Sequence, residues 1–284
     1  MTEIIKAIIF GLVEGITEWL PVSSTGHMIL LNEIIKLDVS EEFYSMFQVV
    51  IQLGAILAVV ILFFKNIWPF GKKDNKEPYS DKGIGSFIKK DIINLWLHII
   101  VSCIPAIIIG VFFDDFFEEL FYNYQTVAIM LILVGVAFIV IESFIKGKEA
   151  KIKDSRDIDY KLAFIIGLFQ VIAAVFPGTS RSGAIIIGAL ILGISRTVAA
   201  EYAFYLAIPV MFGASLLKVV KFGFAFTSME AAILLVGTVV AFLVSLVIIK
   251  FLMNYIKKHD FKIFGWYRIV IGLVVLACGL AGII

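Results

Sequence analysis

The sequence predicts an all-α integral membrane protein, with six transmembrane helices and two re-entrant helix pairs arranged as an inverted-topology repeat. Three observations predict it. The 284 residues are 61% hydrophobic with a mean hydropathy of +1.03, far above the roughly half-apolar composition of a soluble domain. Six stretches, residues 46–64, 92–113, 126–145, 202–220, 231–249 and 263–284, are apolar over the length a spanning helix needs, roughly 20 residues. Two further segments, 3–37 and 162–192, each wrap a Ser-rich polar turn and resemble one another.

Charge placement orients these spans, because Lys and Arg accumulate in cytoplasmic loops. Seven lysines lie in Lys65–Asp91, five lysines and Arg156 in Lys146–Lys161, and four lysines in Lys250–Lys262, so these loops face inside. Asp114–Asn123, with Asp114, Asp115, Glu118 and Glu119 and no base, and Gly223–Glu230, whose only charge is Glu230, face outside with the C-terminus. The net charge of +1 carries no such information, and nothing points to nucleic acid. Cys103 and Cys278 lie inside apolar spans without metal-site spacing. Glu14 and Glu18 interrupt the first apolar run, and no small-residue cleavage site follows a basic region, so no removed signal peptide is expected.

The repeat is read by sliding GLVEGITEWLPVSSTGH, from Gly11, onto GLFQVIAAVFPGTSRSG, from Gly167. One offset aligns Gly11 with Gly167, Leu12 with Leu168, Glu14 with Gln170, Pro21 with Pro177 and Ser24 with Ser180. Three residues out of that register, Glu42, Phe43, Gly54 and Ala55 match Glu201, Tyr202, Gly213 and Ala214. The chain is then a single membrane domain, 1–284, of two halves, 1–145 and 158–284. Each half is a polar-tipped pair followed by three spans, and an odd number of spans inverts the second half against the first.

Residues 3–20 and 28–37 are too short or too polar to cross comfortably, and Pro21–His27 between them reads as a turn. The same holds for 162–176 and 184–192 around Pro177–Gly183. Irregular backbone at membrane depth survives only where protein or a wet cavity satisfies it. Each turn precedes a half-helix whose free amides and positive dipole end suit phosphate oxygens.

Several side chains here carry candidate chemistry. Glu14 and Glu18, four apart, share a helix face, and ionisable groups inside a membrane mark functional sites or pair with a partner such as Arg181. Ser23, Ser24 and Thr25 offer hydroxyls that cap a helix, bind phosphate or attack phosphorus. Ser24, aligned with Ser180, or a water in its place is the expected nucleophile, with His27 as general base or acid or a glutamate taking the proton. Arg181 offers a planar, permanently charged fork for phosphate oxygens, and Gly178, Ser180 and Ser182 surround it. His98, near Pro105, and His259, in a charged loop, read as structural, and Gln52 and Gln170 as interhelical hydrogen-bonding groups.

GLVEGITEWLPVSSTGHMILL, FQVVIQLGAILAVV and PGTSRSGA resemble the bacterial undecaprenyl-pyrophosphate phosphatase family, also called the bacitracin-resistance BacA or UppP family. The resemblance covers essentially the whole chain. It implies hydrolysis of undecaprenyl diphosphate, recycling the lipid carrier for cell-wall synthesis, in a homodimer of the bacterial plasma membrane with its site open to the outer face. It further implies that Glu14, Glu18, Ser24, His27 and Arg181 are the functional residues, and that the enzyme depends on Mg2+ or Ca2+, for which Glu14 and Glu18 are plausible oxygen ligands. Where the family commonly carries a Thr four residues after the Arg, this chain has Ile185. The rival reading is a polyprenyl-phosphate flippase or secondary transporter, since inverted repeats with broken helices also build transporters.

Overall fold

The computed structural model describes residues 2–284 except Lys73, Asp74 and Phe224, and omits the side chains of Asp114, Asp115 and Glu118. Lys73 of the basic 65–91 loop and three of the four acids expected in the 114–123 loop therefore lie outside the described side chains, as does Phe224 of the 223–230 connection. Among the described residues the regular structure is helical, with no strand beyond isolated bridges. Helices α1 (Thr2–Thr17), α2 (Ser24–Ile34), α3 (Glu41–Leu62), α4 (Phe64–Ile67), α5 (Lys90–Phe112) and α6 (Asp114–Phe121) are followed by α7 (Tyr124–Ile145), α8 (Tyr160–Val175), α9 (Arg181–Ile191), α10 (Arg196–Phe222), α11 (Ser228–Ile256) and α12 (Lys262–Leu280).

Six of these helices, α3, α5, α7, α10, α11 and α12, are long and apolar enough to cross a membrane. All six begin before the apolar runs because caps, not hydropathy, start helices, whereas α3 ends at Leu62, α5 at Phe112 and α12 at Leu280, short of the expected 64, 113 and 284. The α3 helix starts at Glu41 because the Ser40 hydroxyl accepts the Phe43 N–H, α10 at Arg196 because Ser195 accepts from Val198, and α11 at Ser228 in a Thr227–Glu230 capping box. On α7, Ile129, Leu133, Val136 and Val140 form an exposed apolar stripe three and four residues apart. In water such a stripe would be an aggregation surface; in a bilayer it is the ordinary outer wall. The chain is a multi-pass membrane protein.

Close helix packing positions the two shorter pairs. A Cβ on Gly11 would fall 2.6 Å from the Gly237 carbonyl oxygen, and one on Gly15 2.8 Å from that of Ala241, so α1 lies directly on α11. The equivalent approach, 2.5 Å from the Ser102 carbonyl oxygen, is made by Gly167, laying α8 on α5. Gly135 and Gly265 meet reciprocally at 2.7 Å and seat α12 against α7. Small residues that let backbones meet are what hold membrane helices together where lipid is as apolar as the side chains. A buried carboxylate, Glu142 on α7, accepts from Arg196 Nε at 2.8 Å and from the Phe261 N–H at 3.0 Å, tying the ends of three helices.

Candidate active site

The two Ser-rich turns share a backbone device. Ser23 (φ 73°) and Ser180 (φ 68°) are the only non-glycine residues with positive φ among the described residues, a conformation that costs roughly 1–3 kcal/mol and persists only where its surroundings enforce it. Each caps the helix that follows: Ser23 Oγ accepts the Gly26 N–H and Ser180 Oγ the Gly183 N–H. The caps move the helix starts into the turns, so Ser24, Thr25, Gly26 and His27 lie in the first turn of α2, and Arg181 opens α9. The structural match is therefore Ser23 with Ser180, one residue away from the Ser24–Ser180 alignment. Between Gly167 and its cap the second segment holds one residue more than the first between Gly11 and Ser23, an insertion that an alignment without gaps misses.

Glu18 is the centre of the arrangement. Its backbone N–H continues the helical pattern to the Glu14 carbonyl, placing both carboxyl groups on one side of α1, and both side chains are buried. The Ser24 hydroxyl donates to Glu18 Oε2 at 2.7 Å, and Arg181 Nη2 donates to Glu18 Oε1 at 3.0 Å. One carboxylate thus joins a hydroxyl of the first turn to the arginine of the second. Ser182 Oγ reaches the Glu18 carbonyl at 3.4 Å and shares a hydrogen bond with Ser180. Trp19, fully buried and edge-on to Phe204 at 5.1 Å, anchors the chain beyond Glu18. Glu14 Oε1 and Arg181 Nη1 are buried without a hydrogen-bond partner.

His27 is turned elsewhere. Its Nδ1 lies 2.7 Å from the Ser23 carbonyl, which can only accept, so Nδ1 carries the proton and Nε2 accepts from the Tyr267 hydroxyl at 2.7 Å. No bond joins it to Ser24 among the described residues. Gly178 (φ +88°) is a packing requirement: a Cβ there would fall 2.6 Å from the Val127 carbonyl oxygen. Ile185 is fully buried in the apolar core and brings no polar atom to the turns. His98 packs edge-on against Tyr160 at 4.2 Å and His259 stacks on Tyr255, away from the turns.

Two residues were not anticipated, Tyr267 and Arg268 on α12. Arg268 is fully buried; its Nη2 donates to the carbonyls of Gly178 and Thr179, both at 2.8 Å, and its Nη1 to that of Pro21 at 3.3 Å. One guanidinium therefore staples the two turns together, and no carboxylate of the described residues pairs with it. The signal was available, since Arg268 is the one charge inside the apolar run 263–284, and the rule that flags intramembrane charges applies to it as to Glu14.

Two cavities open beside the turns. The larger, about 630 Å³, lies between α3, α5, α8 and α10 and is lined by Arg181 and Gln170 among mostly apolar side chains. The smaller, about 270 Å³, is lined by Thr25 and Pro177 and shares Val49, Ala173, Ala174 and Lys218 with the larger. Gln170, expected to bridge helices, is buried with both amide atoms unpartnered.

A helical membrane protein with a hydroxyl on a carboxylate, an arginine on the same carboxylate and a mostly apolar cavity beside them is of the class that handles amphiphilic anions. Comparison with known proteins narrows the class. The family model described as "Bacitracin resistance protein BacA" matches residues 7–274. Curated relatives named undecaprenyl-diphosphatase include that of Desulfitobacterium hafniense, 62% identical over 97% of this chain and 96% of its own. Undecaprenyl-diphosphatase 1 of Clostridium acetobutylicum is 60% identical over 96% of both chains, and an Enterococcus faecalis undecaprenyl-diphosphatase 55% identical over 96% of both. The chain belongs to the BacA bacitracin-resistance family.

Proposed function

We propose that this chain is a membrane phosphatase that hydrolyses undecaprenyl diphosphate to undecaprenyl phosphate and inorganic phosphate, returning the lipid carrier to cell-wall synthesis. The names and near-full coverage of its relatives support the substrate. The observation that carries the chemistry is the Ser24–Glu18–Arg181 chain of hydrogen bonds across the two turns. A nucleophile bonded to its base, with a cation beside both, is the arrangement phosphoryl transfer needs. A flippase or transporter needs complementary charge but no such pairing, so the geometry favours hydrolysis.

The steps follow from the atoms. Glu18 takes the Ser24 proton as Oγ attacks the terminal phosphorus, and the bond from that phosphorus to the bridging oxygen breaks to leave the lipid monophosphate. Arg181 Nη1, which has no protein partner, binds the phosphate oxygens as charge builds there. Water then cleaves the Ser24 phosphoester and releases phosphate. His27, held by the Ser23 carbonyl and Tyr267, orients the first turn of α2. Thr25 and the half-helix amides at Ser180–Ser182 complete the phosphate pocket.

The acids fit a divalent cation. Glu14 Oε1 is a buried oxygen without a partner, on the same side of α1 as Glu18, and two carboxylates completed by substrate phosphates suit Mg2+ or Ca2+. Bound there, the ion supplies charge neutralisation for the diphosphate.

The same reading makes α1–α2 and α8–α9 re-entrant pairs of two inverted halves, 1–145 and 158–284. Matching Ser caps, matching Gly11 and Gly167 approaches, and the Ser245 and Ser102 hydroxyls that bond α1 and α8 carbonyls support it. Lysine placement supports a site open to the outer face, and the family resemblance a homodimer. Purified protein given undecaprenyl diphosphate and Mg2+ should release one phosphate per lipid; intact lipid diphosphate after exhaustive incubation would refute the reading.

A further inference from the structure

Glycine inside a helix costs about 0.5–1 kcal/mol relative to alanine, so each one calls for a reason. Within the spanning helices the reason is nearly always a neighbour: Gly54, Gly135, Gly237, Gly265, Gly272 and Gly279 would all place a Cβ less than 3.0 Å from another atom. Gly110 on α5 and Gly213 on α10 have nothing within 4 Å, and both line the 630 Å³ cavity. Packing does not account for them. The cavity follows α10 from Pro209 to Lys221, about 18 Å at 1.5 Å per residue. Its walls include Ala106, Ala173 and Ala214, and Ile107, Val111 and Leu217 at its edge are exposed on the lipid-facing surface.

A second observation says that the space is for a ligand. Gln170, 2% exposed, lines the cavity with neither amide atom hydrogen-bonded, and Arg181 Nη1 in the same wall is also unpartnered. Buried polar atoms left unpaired cost roughly 1–3 kcal/mol each unless something occupies the site. An occupant that satisfies both walls is apolar along most of its length and polar at one end.

We infer that this cavity holds the first, phosphate-proximal isoprene units of the polyprenyl substrate, that Gly110 and Gly213 set its width, and that Gln170 meets the polar junction between tail and diphosphate. The inference rests on the reading of the chain as a polyprenyl-diphosphate phosphatase. It gives α5 and α10 the role of admitting the tail sideways from the bilayer while its headgroup meets Arg181. Gly110 and Gly213 are then specificity residues for the tail, and take no part in the phosphoryl chemistry.

Five variants test it: Gly213→Ala, Gly213→Leu, Gly110→Leu, Gln170→Met and, as a control on the lipid-facing side of α7, Ile129→Phe. Thermal unfolding in detergent and steady-state hydrolysis of undecaprenyl diphosphate are measured on each. Because the space is open and alanine is the better helix former, Gly213→Ala should unfold a few degrees higher than the parent. Both leucine variants should unfold no lower, with KM raised about tenfold and kcat nearly unchanged, while Ile129→Phe leaves KM where it was. Gln170→Met, which keeps the bulk and removes the amide, should raise KM in the same sense. Leucine variants that are folded with unaltered KM would overturn the inference, and so would a lower unfolding temperature, which would show that the space is filled. A parent protein that releases no phosphate would refute the phosphatase reading itself, a result distinguishable from either.

Discussion

Replacement of Arg268 by Met tests how the two turns are held together. The guanidinium donates to three carbonyls, of Pro21, Gly178 and Thr179, in a fully buried setting. Hydrogen bonds from a charged donor contribute about 1.5–3 kcal/mol each, and their loss leaves three buried carbonyls unsatisfied. Against this, the variant no longer desolvates a guanidinium that has no carboxylate partner, so the sum is smaller than three full bonds. The net expected is on the order of 3–5 kcal/mol, the range found when one partner of a buried charged contact is removed. At about 2–4 °C per kcal/mol for a chain of this size, that is a fall in Tm of about 10 °C. Arg268→Lys keeps the charge but not the fork, so it should fall between parent and Met. Thermal unfolding in detergent, read beside phosphate release, gives the order parent, Lys, Met in both measurements. A Met variant with the parental Tm and turnover would show that the turns keep their register without the staple.

Further outcomes follow from individual contacts. Ser24→Ala removes the hydroxyl on Glu18 Oε2 and should lower kcat by more than about 10³-fold in single-turnover phosphate release; near-parental kcat would assign the attack to water. Glu142→Leu leaves Arg196 without its partner and Phe261 N–H without its acceptor, at an expected cost of about 2 kcal/mol because Arg196 is partly exposed; urea or thermal unfolding should show the loss while phosphate release in the surviving fold keeps its KM. Removal of divalent cations by a chelator should stop phosphate release and Mg2+ should restore it. Full activity in the chelator would remove Glu14 and Glu18 from metal binding.

The sequence carried the spans because hydropathy over 20 residues is a strong signal, and it carried the turns because Pro and Ser clustered inside an apolar run interrupt the helix and demand polar partners. Helix ends were less legible. The α10 helix begins at Arg196 instead of Tyr202 because Ser195 caps it, and a cap is a single hydroxyl that hydropathy does not register. Similarly, the caps at Ser23 and Ser180 place His27 and Arg181 inside helices. The positive-φ caps are Ser23 and Ser180, one residue away from the pairing of Ser24 with Ser180 in the ungapped alignment, a difference that only backbone dihedrals reveal. Of the candidate side chains, Glu18, Ser24 and Arg181 meet directly, whereas His27 is drawn away from Ser24 by Tyr267, 240 residues away in the chain. Arg268 was legible by the same rule that singled out Glu14, and only its partners, which are backbone carbonyls, required a structure.

Phosphate release by Arg181→Ala, measured beside the parent on undecaprenyl diphosphate at matched folding, tests most directly whether the two turns form one phosphoryl-transfer site. Loss of the guanidinium that joins Glu18 to the cavity should lower kcat/KM by about 10³-fold or more, with the lipid diphosphate left intact. A folded Arg181→Ala protein that releases phosphate at the parental rate would place the chemistry elsewhere.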